Sequence, residues 1–183
     1  MILYDCRTAA DRDRGIEAAI DAVKRGDLVV LPTDTLYGIG ADAFKPWAVT
    51  ALLDAKGRRN PPPVLVGSRA TLDGLVFNLP TAARDLVEAF WPGALTVVVE
   101  HAPSLDWDLG NDDGTVAVRM PLHPVALEIL RETETRASLH AGHRSSVAAV
   151  TGAFCRIATC PAVRLRSSDR SGAPFLFNLL DAG

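Results

Sequence analysis

Nothing in this chain is long and apolar enough to cross a bilayer. Its longest apolar runs, Leu28 to Pro32 and Leu95 to Val99, fall far short of a membrane span. The N-terminus, MILYDCRTAADRDRG, carries charge where a secretory signal needs an apolar stretch, so export is not expected. Cysteine is scarce: Cys6, Cys155 and Cys160 form neither an even disulfide set nor a four-ligand zinc set. Basic excess is missing as well. The formal net charge is −3, which allows a local basic groove but no general affinity for polyanions. Two nucleotide-binding signatures are also absent: no Gly-Lys-Ser/Thr closes a phosphate loop, and no Gly-x-Gly-x-x-Gly occurs. A cytoplasmic, reduced protein without membrane attachment is the expectation.

What is present is ordinary in bulk and patterned in detail. With 183 residues, 48% apolar and 22% charged, the chain can bury a substantial single-domain core. Ile16, Ala19, Ile20 and Val23 recur at helical spacing between Asp11 and Arg25, with Gly26 suited to the position past the helix end. Leu28 to Leu31 and Val64 to Val66 read as buried strands, with Pro32 to Thr35 a loop after the first. Trp47 to Lys56 places Val49, Leu52 and Leu53 on one helical face behind Pro46. Ser68 and Thr81 suit the N-caps of two short helices, the second burying Leu86, Val87 and Phe90. Leu95 to Glu100 and the alternating Thr115 to Arg119 read as strands, and His123 to Arg131 as a helix. Interleaved helices and strands predict an α/β domain, with the strands at Leu28, Leu95 and Thr115 sharing one sheet.

The character changes after about Glu134. Six of the eight serines and two of the three cysteines lie between Arg136 and Gly183, where glutamate and lysine are both absent. Val147 to Val150 and Phe175 to Leu180 are weak apolar runs that do not by themselves predict elements. The Cys-x4-Cys of Cys155 and Cys160 and the His-x2-His of His140 and His143 are possible zinc spacings but match no established zinc motif, and no metal site is expected from them.

Three constellations carry chemistry. Pro32 to Phe44, PTDTLYGIGADAF, follows a buried strand with two threonine hydroxyls, a carboxylate and a tyrosine, at the strand edge where open α/β sheets bind ligands. Its plain alternative is a turn punctuated by Pro and Gly. Lys56-Gly57-Arg58 puts two cations at a helix C-terminus, suited to phosphate or simply to the helix dipole. In Thr115 to Arg119, alternation sends Thr115, Ala117 and Arg119 to one face. Arg119 on a central strand requires an anionic partner, from protein or ligand, and taken alone the protein is the commoner source.

In order and spacing, PTDT-x-YG-x-G-x-DA, KGR, WPG-x-LT and TVA-x-R-x-P-x-HP-x-A together resemble the YrdC-type threonylcarbamoyl-AMP synthases over residues 7 to about 132. The resemblance implies a single-domain, open, twisted mixed sheet with flanking helices and a positively charged concave face. It implies nucleotidyl transfer, in which L-threonine, bicarbonate and ATP give threonylcarbamoyl-AMP and pyrophosphate, with magnesium on the nucleotide. A downstream threonylcarbamoyl transferase complex would pass the group to tRNA. Residue by residue, Thr35 and Tyr37 would line the threonine pocket and Arg119 would pair with the threonine carboxylate. Lys56 and Arg58 would grip the phosphates as the catalytic cations, and Thr115 would contact the nucleotide.

The chain also departs from the family pattern. A substrate-contacting histidine expected after KGR has no counterpart, Leu65 standing nearest. The family's Ser-x-Asn signature is missing from Arg136 to Ser146, and no Asn lies between Asn111 and Asn178. Because composition shifts at the same place, residues 133–183 are expected to reflect a changed reading frame or a divergent branch, with impaired activity one consequence. The alternative function is a non-catalytic module binding double-stranded RNA or tRNA, to whose phosphates Arg164 and Arg166 could contribute. The carbamoyl-adenylate chemistry of hydrogenase maturation is disfavoured, because the zinc-finger and acylphosphatase modules that accompany it are absent.

Overall fold

The computed structural model describes residues 2–57, 61–105, 107–110, 114–138, 147–151 and 176–180. In chain order the elements are β1 (Ile2–Asp5), α1 (Ala9–Arg25), β2 (Leu28–Pro32), β3 (Tyr37–Asp42), α2 (Pro46–Lys56) and β4 (Val64–Leu65). They continue with α3 (Arg69–Leu75), α4 (Thr81–Phe90), β5 (Thr96–Glu100), β6 (Thr115–Arg119), α5 (Pro124–Ser138), β7 (Val147–Thr151) and β8 (Leu176–Leu180). Among the described residues, no helix is long and apolar enough to cross a membrane.

Local chemistry sets the helix ends. The Thr8 hydroxyl accepts from the Asp11 N–H at the start of α1, and α1 stops at Gly26. Gly57 closes α2 at φ 65°, a left-handed backbone that glycine adopts without strain. Ser68 caps α3 through the Thr71 N–H, as its sequence position predicts. Thr81 does not cap α4. It is the first helical residue behind Pro80, and no side chain caps that end.

The strands form one open mixed sheet in the order β1-β8-β2-β3-β7-β4-β6-β5. Strands β4 and β6 are parallel, and the other named pairings are antiparallel. The three strands expected to share a sheet, β2, β5 and β6, do so. The weak apolar runs of the C-terminal region are strands: β7 fills the place between β3 and β4, and β8 that between β1 and β2. Edge-to-edge hydrogen bonding to strands already present supplies what their own composition does not announce.

Two apolar cores sandwich the sheet. On one face α1 and α5 cover Val29, Leu31 and Leu65 with Ile16, Ile20, Val23, Ile129 and Leu130. On the other, α2 and α3 supply Val49, Leu52, Leu72 and Leu75 against Val30, Ile39, Val64, Val97, Val99, Val116 and Val118. Helix α4 buries Val87 alone, while Leu86 and Phe90, expected in the core, are exposed. Leu65 is fully buried in the α1–α5 core and serves packing.

Candidate functional site

The β5–β6 ribbon has one dry face and one open face. Val97, Val99, Val116 and Val118 point into the core. Their neighbours are cross-strand partners on the opposite face: Thr96 with Arg119, Val98 with Ala117, and Glu100 with Thr115. Thr96, Val98 and Glu100 are exposed, and Thr115 and Ala117 are half-buried. Leu65 pairs with Arg119 in the parallel register and faces α1 and α5, so those helices cover the sheet up to β4. Beyond β4 no described element covers the same face, which has a polar rim and a small apolar floor.

Arg119 closes one end of this floor. Its side chain is only 5% exposed, yet it lies outside the apolar core. Nη2 donates to Asp34 Oδ1 at 2.8 Å, Nη1 to Thr35 Oγ1 at 3.3 Å, and Nε to the Gly93 carbonyl at 3.0 Å. Asp34 Oδ1 also accepts the Leu122 N–H at 3.0 Å. The anionic partner required of a strand arginine is therefore Asp34, from the loop between β2 and β3. Within that loop the Thr33 hydroxyl donates to the Leu36 carbonyl and lies 3.2 Å from the Thr35 hydroxyl.

The Trp-Pro-Gly turn after α4 builds the third wall. Trp91 is buried and donates its indole N–H to the Leu95 carbonyl at 2.8 Å. Gly93 donates its N–H to the Met120 carbonyl while its own carbonyl receives Arg119. A Cβ on Gly93 would stand 2.5 Å from the Phe90 carbonyl oxygen, so this approach requires glycine.

Of the residues proposed from sequence, Thr35 and Arg119 are in direct contact. Tyr37 opens β3 opposite Pro32 and is half-buried against the core. Thr115 shares the face of Arg119 four residues away, about 13 Å at the usual strand rise. Lys56 is half-buried at the last position of α2. Arg58 lies outside the described residues, as do His140, His143, Cys155, Cys160, Arg164 and Arg166. Sequence reasoning missed Asp34 and the Gly93 carbonyl as partners of Arg119, although both sit inside motifs it singled out.

Two neighbouring groups are electrostatically perturbed. Burial holds the His123 imidazole below its ordinary value, helped by Arg12 and opposed by the Asp34 charge. Burial raises the Glu134 carboxyl, opposed by hydrogen bonds from the Gly67 N–H and the Thr71 hydroxyl at 2.7 Å each, and by Arg131. Among the described residues, no group of three or more His, Cys, Asp or Glu side chains could hold a metal ion.

The fold and site together define an open mixed α/β sheet with a polar, arginine-anchored floor on one face. The model of the Sua5/YciO/YrdC family, described as "Telomere recombination", matches residues 21–152. A Mycobacterium tuberculosis protein provisionally named threonylcarbamoyl-AMP synthase is 61% identical over 131 residues, 70% of this chain and 60% of that protein. Its Mycobacterium leprae counterpart is 56% identical over 150 residues, 81% of this chain and 68% of that protein. Pyrococcus abyssi Sua5, solved in complex with L-threonine, superposes with a TM-score of 0.64 at 34% identity, covering 74% of this chain and 38% of that one. The chain belongs to the Sua5/YciO/YrdC family. It spans 60% of the length of the M. tuberculosis relative.

Proposed function

We propose that this protein is a threonylcarbamoyl-AMP synthase, a nucleotidyltransferase that condenses L-threonine, bicarbonate and ATP to threonylcarbamoyl-AMP and pyrophosphate. The carrying observation is the Arg119–Thr35 contact at 3.3 Å on the open sheet face, in a chain 61% identical to a relative that bears this name. The threonine complex of Pyrococcus abyssi Sua5 supports L-threonine as the amino-acid substrate.

In this reading Arg119 takes the threonine carboxylate, while Thr35 and Tyr37 line the pocket around the side chain. A guanidinium held in place before the ligand arrives needs little reorganisation, which favours tight orientation. Thr115, at the far end of the same face, contacts the nucleotide. Lys56 and Arg58 neutralise the phosphates, where charge accumulates as pyrophosphate leaves. Magnesium would arrive on the ATP phosphates and help neutralise their charge, which asks for few or no dedicated protein ligands. The product would go to a threonylcarbamoyl transferase complex acting on tRNA, in the cytoplasm.

The test is ATP–pyrophosphate exchange with and without threonine and bicarbonate. Exchange that requires both supports the synthase. Retention of double-stranded RNA with no exchange would replace it by the non-catalytic RNA-binding reading.

A further inference from the structure

We propose that Asp34 is a positioning residue for this reaction, fixing the Arg119 guanidinium and the Thr33–Leu36 loop as one unit; this rests on the synthase reading above. One carboxylate oxygen does two jobs. Asp34 Oδ1 accepts Arg119 Nη2 at 2.8 Å and the Leu122 N–H at 3.0 Å. It thereby ties the loop after β2 to the segment leaving β6, where no sheet hydrogen bonds join them. The side chain of Asp34 is 16% exposed and that of Arg119 is 5% exposed, so water competes poorly for either group.

The other contacts of Arg119 do not determine its orientation alone. The Gly93 carbonyl holds Nε and the Thr35 hydroxyl reaches Nη1 at a longer 3.3 Å. Both are neutral acceptors, roughly half as strong as a charged one. With Asp34 neutral, the guanidinium keeps its tether at Nε and loses the charge that holds its outer end. Thr35 is the next residue along the chain, so its hydroxyl shifts with the same loop. The consequence is selective: threonine recognition weakens, while phosphate binding at the C-terminal end of α2 does not.

The discriminating variant is Asp34→Asn in the full chain, which keeps an oxygen to accept the Leu122 N–H and removes the charge. We expect the KM for threonine to rise roughly fivefold to tenfold, as for weakening one charge-assisted hydrogen bond to a neutral one, with the KM for ATP within about twofold. Asp34→Glu should recover part of the threonine KM. A drop in melting temperature with an unchanged threonine KM would reduce Asp34 to a structural residue and overturn the proposal. A lower threonine KM would overturn it too, by showing Asp34 as a competitor for Arg119. A second readout is independent of turnover: the Arg119 Nη–H signals in low-temperature NMR should exchange slowly in the unmutated protein and markedly faster in Asp34→Asn, with the Nε–H on the Gly93 carbonyl and the core amides unmoved. If the unmutated protein shows no threonine-dependent chemistry, the synthase reading fails there, and unchanged Nη–H signals in Asp34→Asn would separately sink the positioning role.

Discussion

Arg119 and Asp34 stand 85 positions apart in the chain and meet at 2.8 Å, joining the end of β6 to the loop after β2. An arginine on a sheet strand is tolerable only because that carboxylate, the Gly93 carbonyl and the Thr35 hydroxyl receive it. Arg119→Gln strands Asp34 in a poorly hydrated position. The expected loss is about 3 kcal/mol, the lower end for a broken buried pair, because Asp34 keeps 16% of its side chain exposed. Urea denaturation of the unliganded protein measures it. A loss below about 0.5 kcal/mol, the scale of an ordinary surface change, would mean that the pair contributes nothing to the fold.

Gly93→Ala tests the same wall from its backbone. The added Cβ meets the Phe90 carbonyl oxygen at 2.5 Å, and backbone atoms yield less readily than a flexible side chain. A destabilisation of about 1–3 kcal/mol is expected, read as a lower urea midpoint at constant m-value.

Lys56 and Arg58 divide a ligand role from a helix-dipole role. If they grip phosphates, alanine at either position weakens ATP binding by about 1.5–3 kcal/mol, measured by calorimetry. Lys24→Ala, on α1, is the surface control. Equal small effects at all three positions would favour the dipole alone.

His123 predicts the sign of one pH dependence. Its folded value lies below the ordinary 6.5, so the unfolded chain binds the proton more readily. Its contribution to stability is present above pH 6.5 and is lost as pH falls through the folded value. Glu134 runs the other way: its folded value is raised above 4.5, so its contribution is complete below that pH and lost as pH rises through the folded value. Glu134→Gln should therefore flatten the stability profile above pH 4.5 and leave the His123 window intact. Denaturation midpoints across pH 4 to 8 check both signs.

The legible part of the fold was the part written in local periodicity. Helices α1 and α2, the capping role of Ser68, and strands β2, β5 and β6 follow from apolar spacing and turn chemistry. Strand β3 goes unannounced in the sequence because Gly38 and Gly40 carry no side chains to alternate; its pairing with β2 decides it. Leu86 and Phe90 of α4 look like core from composition, but only Val87 faces inward. The site was half legible. Arg119 announced its need for an anion, and Thr35 its loop, but which anion depends on a contact between distant segments that no local pattern encodes.

The central claim is the chemistry of the open β5–β6 face, and radiolabelled bicarbonate tests it most directly. Purified full-length protein is incubated with ATP, magnesium, L-threonine and labelled bicarbonate, and nucleotides are separated by chromatography. A labelled AMP adduct that forms only with threonine present, and falls sharply in Arg119→Gln, is the predicted result. A protein that binds ATP normally but forms no labelled adduct would contradict the account.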